Sequence, residues 1–596
     1  MKENTPPQKA WFPEIPLPQT VIHYCEQYGI QRIVISAGSR NAPLTNGFVE
    51  TPYFKTYSVV DERAAAFFGL GMAQQLQSAV ALVCTSGSAL LNYYPAVAEA
   101  YYSTIPLVIL SADRMPHRID IGDGQTIQQQ GVFGPHLVGT AALKPDVEHA
   151  TDTLLESPLQ QLVPTEAKYR EIAAIQKVHQ KHNEDEIKRV LSLAIHERGP
   201  VHLNIPMEEP LYGMSQKPLQ FSPLNKKTFI KKESPSIDAL ESAWNSASKK
   251  MILVGVLPPD PEWDSILDRL MEEPSVILLT EKTSNLQHIN AISSIDCLLA
   301  PMELDQNNFE KSLQPQLLIT LGGMIVSKKI KAFLRENPAN NHFHLDPVKA
   351  YNTFYRLEEH IKMPAKKVIS YLLKKTKSVP SSYQQIVLSK YHNYLQKGKA
   401  YLKDIPFSDL KAFQLTFQQL PNPIHLQIGN SSPIRYAQLF DLPKAITVNC
   451  NRGTSGIDGS TATAIGAAQI QKTPTLLITG DLSFFYDING LWNNYIPSHF
   501  RIIIINNNGG GIFRILPGEK DSFKYDTYFE TIHHRSARQL AKSFGFSYRK
   551  IKGAFGLRWA LKSFFSPSSK PRILEIQTPR KINDTILLNY FKTMVK

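Results

Sequence analysis

The run Gly480-Asp481-Leu482-Ser483 and the later cluster Asn506-Asn507-Asn508-Gly509-Gly510 carry the residue types that hold a magnesium ion against a diphosphate. Magnesium takes a compact octahedron of hard oxygens and draws only a few from protein, leaving the rest to phosphate and water. The Asp481 carboxylate, the Asn507 amide oxygen and the Gly509 carbonyl supply such a set, and manganese accepts the same ligands. Glycines beside them allow positive φ and close approach of the backbone to phosphate oxygens. Either half alone is also what a strand end or an Asn-Gly turn looks like; the two together point to a clamp.

The elements around them must bring the halves together. Thr473-Pro-Thr-Leu-Leu-Ile-Thr479 and Arg501-Ile-Ile-Ile-Ile505 read as buried strands, with helix-like sequence from Phe485 to Tyr495 between them. Continuous apolar runs suit a parallel sheet covered on both faces, which gathers ligands at the carboxyl ends of its strands. One crossover between neighbouring parallel strands then puts Asp481 and Asn507, 26 positions apart, on the same sheet edge.

The same rhythm runs through the chain. Arg32-Ile-Val-Ile-Ser36, Ala79-Val-Ala-Leu-Val-Cys84 and Pro106-Leu-Val-Ile-Leu-Ser111 read as strands, with helices from Asp61 to Gln75 and from Ala89 to Tyr102 between them. A charged helix around Thr165 to His196 closes that block, and the Pro- and Lys-rich stretch from Pro206 to Pro235 reads as a linker. Middle strands are expected at Met251–Gly255, Val276–Thr280 and Leu317–Gly323, and a last block runs from Ile424 to Thr578. The expected fold class is α/β, with three doubly wound parallel-sheet domains over 1–198, 199–380 and 381–596. A chain of 596 residues exceeds one hydrophobic core, which agrees. The first and last blocks share size and rhythm, although no identity repeat links them.

Composition narrows the class of partner. The net charge of +13 comes from scattered lysine clusters such as Lys226-Lys227, Lys366-Lys367 and Lys374-Lys375, without interleaved aromatics, so nucleic-acid binding is not expected. A basic chain does draw in anionic substrates. Cys25, Cys84, Cys297 and Cys450 lie too far apart for a zinc or disulfide framework and suit a reducing cytoplasm. No apolar run approaches the ~20 residues a bilayer requires, and the first residues lack a signal-peptide core.

Gly-Asp followed at this distance by Asn-Asn resembles the signature of thiamine-diphosphate-dependent enzymes. The resemblance implies that Asp481, Asn507 and Gly509 hold magnesium or manganese and that Gly480, Leu482, Ser483, Gly510 and Ile512 line the cofactor diphosphate. It further implies a glutamate on the cofactor pyrimidine, and Glu62 in Asp61-Glu62-Arg63-Ala64 matches, as a residue expected to be buried. Taken alone, these acids are equally the ordinary first turn of a helix. Ile457 matches the aliphatic wedge that bends the cofactor; by itself it would be a core residue.

Ser36-Ala-Gly-Ser-Arg-Asn-Ala-Pro-Leu44, Ser111-Ala-Asp-Arg114, Ile119-Asp-Ile-Gly-Asp-Gly-Gln125, Gly429-Asn-Ser-Ser432 and Asn451-Arg-Gly-Thr-Ser-Gly-Ile-Asp-Gly459 narrow the likeness. They resemble the family of 2-succinyl-5-enolpyruvyl-6-hydroxy-3-cyclohexene-1-carboxylate synthases of menaquinone biosynthesis. That resemblance implies decarboxylation of 2-oxoglutarate and addition of the succinyl-semialdehyde carbanion to isochorismate. It assigns Arg40, Arg114, Arg435 and Arg452 to the substrate carboxylates, since a planar guanidinium pairs a carboxylate through two bonds. Ser39, Gln125 and Ser431 would be neutral partners, Lys328 and Lys329 a basic pair from the middle block, and Phe513 and Leu516 an apolar wall with Ile512. A homodimer or a pair of dimers is implied. Ala37, Met115 and Lys329 depart from the commoner proline, proline and arginine, the last weakening the middle-block assignment. An acetohydroxyacid-synthase type of enzyme and a noncatalytic metabolite-binding regulator on the same fold remain the alternatives.

Overall fold

Runs of β-branched and leucine residues form the central strands of three parallel sheets, such as Val80–Cys84, Leu317–Leu321 and Arg501–Asn506, which are buried on both faces. The computed structural model describes residues 10–149, 169–224, 236–305, 309–375, 378–515, 520 and 522–596. The chain packs as two compact units. One comprises Met1–Ile230, Thr461–Gln471 and Asp487–Ile496, the other Lys231–Ser460, Lys472–Tyr486 and Pro497–Lys596.

The first unit holds a six-stranded sheet in the spatial order Lys55–Ser58, Arg32–Ile35, Val80–Cys84, Leu107–Asp113, Val201–Pro206, Gly139–Ala142. The helix Glu62–Leu76 crosses the segment Thr461–Gln471 so closely that a Cβ on Gly466 would lie 1.9 Å from the Phe68 carbonyl. A Cβ on Gly71 would lie 2.0 Å from the Thr463 carbonyl. Only glycine fits either position.

The second unit holds two sheets. The middle one runs Val276–Thr280, Lys250–Val254, Leu317–Leu321, Asn341–Leu345, Glu359–Ile361. The last runs Ile446–Asn449, Ile424–Ile428, Thr475–Gly480, Arg501–Asn506, Arg572–Gln577, Ser547–Ile551. Numbered along the chain, both six-stranded sheets have the order 2-1-3-4-6-5. The likeness of rhythm between the first and last blocks is therefore a likeness of topology.

Three local expectations are corrected. The stretch from Phe485 to Tyr495 is not one helix: a helix spans Asp481–Tyr486 and a single 3₁₀ turn Ile488–Leu491. Its polar side chains are engaged elsewhere, Asp487 accepting the N–H groups of Thr461 and Ala462 at 2.7 and 2.9 Å and Asn489 donating to Asp61 at 2.7 Å. The helix expected from Ala89 to Tyr102 is two, Ser88–Asn92 and Tyr94–Ser103, the second with Pro95 in its first turn. The linker is partly ordered, Met214–Ser215 pairing antiparallel with Phe12–Pro13; residues 225–235 lie outside the described set. All four cysteines are buried and none is in a disulfide, and among the described residues no helix is long and apolar enough to cross a membrane.

Candidate active site

In the last sheet the first and third strands, Ile424–Ile428 and Thr475–Gly480, are neighbours and the chain order reverses between them. At such a switch point the loops leaving the carboxyl ends diverge and open a crevice. Gly480 pairs in register with Ile505, so Asp481 stands level with Asn506 and next to Asn507. Asp481 is buried; its Oδ1 accepts the Leu482 N–H at 2.7 Å and its Oδ2 the Gly509 N–H at 3.0 Å. His533 Nε2 lies 3.3 Å from the same Oδ2.

The Asn507 amide nitrogen donates to Asp409 Oδ2 at 2.9 Å, while its Oδ1 is buried with no partner. An orphaned buried oxygen beside a carboxylate is what a cation would satisfy. The Gly509 carbonyl accepts the Gly511 N–H at 2.9 Å and keeps a second lone pair. The loop is fastened from outside. Gly510 N–H donates to the Glu530 carbonyl at 2.7 Å, and a Cβ on Gly509 would come within 2.6 Å of that oxygen. Glu530 is itself buried and paired with Arg514 and Arg580. These residues fit a divalent metal and a diphosphate.

A cavity of about 170 Å³ opens over the clamp, with Ser431, Ile457, Ile512 and Phe513 among its walls. Ile457 is 37 % exposed and so is no core residue; its carbonyl accepts Ser483 Oγ at 2.6 Å. Ser431 has φ of 70°, a left-handed conformation that is strained for serine, at the start of the helix Ser432–Ala437. Phe513 meets Phe529 edge-on. Leu516 lies outside the described residues.

Beside this cavity the second unit gathers cations. Arg435 and Arg452 are half-buried, each with a buried Nε lacking a partner, and Arg452 Nη1 donates to Asn430 Oδ1 at 2.7 Å. Burial lowers the Arg435 pKa, and Arg452 lowers it further against the pull of Asp296 and Glu281. Lys331 belongs with them: burial lowers its pKa first, then the charge of Arg452. Lys328, on the same helix Lys328–Glu336, is exposed, and Lys329 pairs with Glu303.

In the first unit the matching edge carries Glu62, Arg40 and Arg114. Asp61 caps the helix, accepting the Ala64 N–H at 2.8 Å, which sets Glu62 as its first residue. Glu62 is half-buried, short of the full shielding expected, because the first turn stands at the open edge of the sheet. Arg40 is buried, donating to the Met207 carbonyl at 3.1 Å and to Glu209 at 2.9 Å; burial and then Arg114 lower its pKa. Ser39 and Gln125 are exposed, Gln125 with φ of 57°. Asp409, Lys331 and Glu530 were not singled out from sequence. Asp409 reads there as an ordinary helix-start acid and Lys331 as one more lysine of a basic helix.

Residues 17–134 match the family model described as "Thiamine pyrophosphate enzyme, N-terminal TPP binding domain". A protein of Christiangramia forsetii named 2-succinyl-5-enolpyruvyl-6-hydroxy-3-cyclohexene-1-carboxylate synthase is 48 % identical over 589 residues, 98 % of this chain and 99 % of that one. Proteins of the same name from Flavobacterium psychrophilum and Porphyromonas gingivalis are 47 % identical over 590 residues and 36 % over 583. They cover 98 % and 95 % of this chain, and 100 % and 95 % of their own lengths. Likeness of that depth from end to end places the chain in the 2-succinyl-5-enolpyruvyl-6-hydroxy-3-cyclohexene-1-carboxylate synthase family of thiamine-diphosphate enzymes.

Proposed function

We propose that the chain decarboxylates 2-oxoglutarate and joins the remaining four-carbon unit to isochorismate, releasing CO₂, as a step of menaquinone biosynthesis. The end-to-end likeness to the synthases carries this reading. The unpartnered Asn507 oxygen beside Asp481 supports the cofactor and metal assignment within it.

In this reading Asp481, Asn507 and Gly509 hold magnesium or manganese, and Gly480, Leu482, Ser483, Gly510 and Ile512 line the diphosphate. When bound, thiamine diphosphate supplies an electron sink for the pair left by departing CO₂. Ile457, in the cavity wall, would be the aliphatic side chain against the cofactor, and Glu62 would hold a proton at its pyrimidine N1′. The half-exposure of Glu62 fits a homodimer in which the diphosphate-binding block of a second chain covers it. Three blocks, 1–198, 199–380 and 381–596, would then divide pyrimidine binding, a noncatalytic role and diphosphate binding.

Arg40, Arg114, Arg435 and Arg452 bind the substrate carboxylates, with Lys328 and Lys329 as further basic candidates. Ser39, Gln125 and Ser431 donate neutral hydrogen bonds. Ile512, Phe513 and Leu516 keep water from the reacting carbon. Both substrates are anionic, which suits three of these arginines, Arg114, Arg435 and Arg452, whose buried Nε atoms lack partners.

Purified protein supplied with 2-oxoglutarate and isochorismate should form the coupled product only when thiamine diphosphate and magnesium are present. Glu62→Gln should lower turnover by about 10²–10⁴-fold while the circular-dichroism melting curve stays in place. Full activity of that variant, or product formed with the cofactor withheld, would overturn the reading.

A further inference from the structure

Asp409, the first residue of the helix Asp409–Phe417, lines the clamp cavity and is 2 % exposed. No cation among the described residues pairs with it. Its Oδ1 accepts Thr578 Oγ1 at 2.6 Å and its Oδ2 accepts Asn507 Nδ2 at 2.9 Å. A buried carboxylate without a cationic partner is costly, and filling space does not require one. What an ionised carboxylate does that no neutral oxygen-bearing side chain does is accept only. Facing it, the Asn507 amide has one satisfied orientation, nitrogen toward Asp409 and oxygen away. The oxygen turned away is the buried, partnerless Oδ1.

Asp409 is held in place to do this. Its own N–H donates to Asn583 Oδ1 at 2.9 Å, and Thr578 N–H donates to the Asn506 carbonyl at 3.0 Å, one residue from Asn507. An asparagine free to flip would turn its NH₂ toward the clamp half the time, and an NH₂ group repels a cation. We infer that Asp409 is a positioning residue for the metal: it fixes the Asn507 amide with its oxygen toward the ion and thereby sets the affinity of the clamp. This rests on the metal assignment of the proposed function, made through Asp481, Asn507 and Gly509.

Free Mn²⁺ measured by electron paramagnetic resonance, with thiamine diphosphate saturating, separates the two. Wild-type protein should take up Mn²⁺; if it does not, the metal assignment itself fails. Asp409→Asn should weaken uptake by about 10–100-fold, the usual effect of losing a group that orients a ligand. The exchanged pair Asp409→Asn with Asn507→Asp, in which an amide now donates to a carboxylate, should restore uptake to the wild-type level or tighter. A purely structural Asp409 would lower the melting temperature of Asp409→Asn and leave its Mn²⁺ affinity at the wild-type value, and that result overturns the inference. If Asp409→Asn alone does not fold, the exchanged pair decides: folded protein that fails to bind Mn²⁺ equally overturns it.

Discussion

Glu281 follows the strand Val276–Thr280 and is 3 % exposed; its Oε1 accepts the N–H groups of Val326 and Ser327 at 2.9 and 2.8 Å. Burial outweighs those bonds and the charge of Arg452, and its pKa is pushed up to about 7 from 4.5. Between those values the folded state binds more protons than the unfolded one, so this group's contribution to stability falls as pH rises from 4.5 and levels off above about 7. Glu281→Gln keeps an acceptor oxygen and removes the charge. Its melting temperature should therefore gain on wild type as pH rises from about 5 to about 8; a difference that is constant across that range would refute the assignment. That Asp481 would meet the Asn507–Gly509 loop was legible in the sequence because these residues sit on two short motifs at the ends of two readable strands. Asp409 was not, because it reaches Asn507 across 98 positions and nothing local distinguishes it from a capping acid.

Central strands could be read from the sequence for the same reason that they are central: burial on both faces demands unbroken apolar runs, as in Leu317–Leu321 or Arg501–Asn506. The strands that escaped notice are mostly edges. Gly139–Ala142, Glu359–Ile361, Ile446–Asn449 and Ser547–Ile551 each end a sheet, and edges are kept short or polar against unwanted pairing. The crossing at Gly466 makes a test at this scale. Alanine raises helix propensity by about 0.8–1.0 kcal/mol over glycine. Overpacking a tight contact costs about 1–3 kcal/mol, and here the clash is with a backbone carbonyl that cannot rotate away. The clash should win, so Gly466→Ala should melt below wild type with an unchanged far-ultraviolet spectrum; a higher melting temperature would mean that the helices separate freely.

The whole molecule carries a net charge of +13 and, in the proposed reaction, handles two polyanionic substrates. A field of that sign steers anions toward the crevice, and salt screens it. With cofactor saturating, kcat/KM should fall several-fold as ionic strength rises from about 0.01 M to about 0.5 M, while kcat changes little. An unchanged ratio would confine electrostatics to direct contacts. The polypeptide passes between its two units five times, and the stretch Lys472–Tyr486, which bears Asp481, is bounded in sequence on both sides by pieces of the other unit. No single proteolytic nick can therefore release either half intact. Truncated genes encoding one half would leave it missing strands or helices of its own interior, and split-protein complementation should fail wherever the break is placed within residues 461–496.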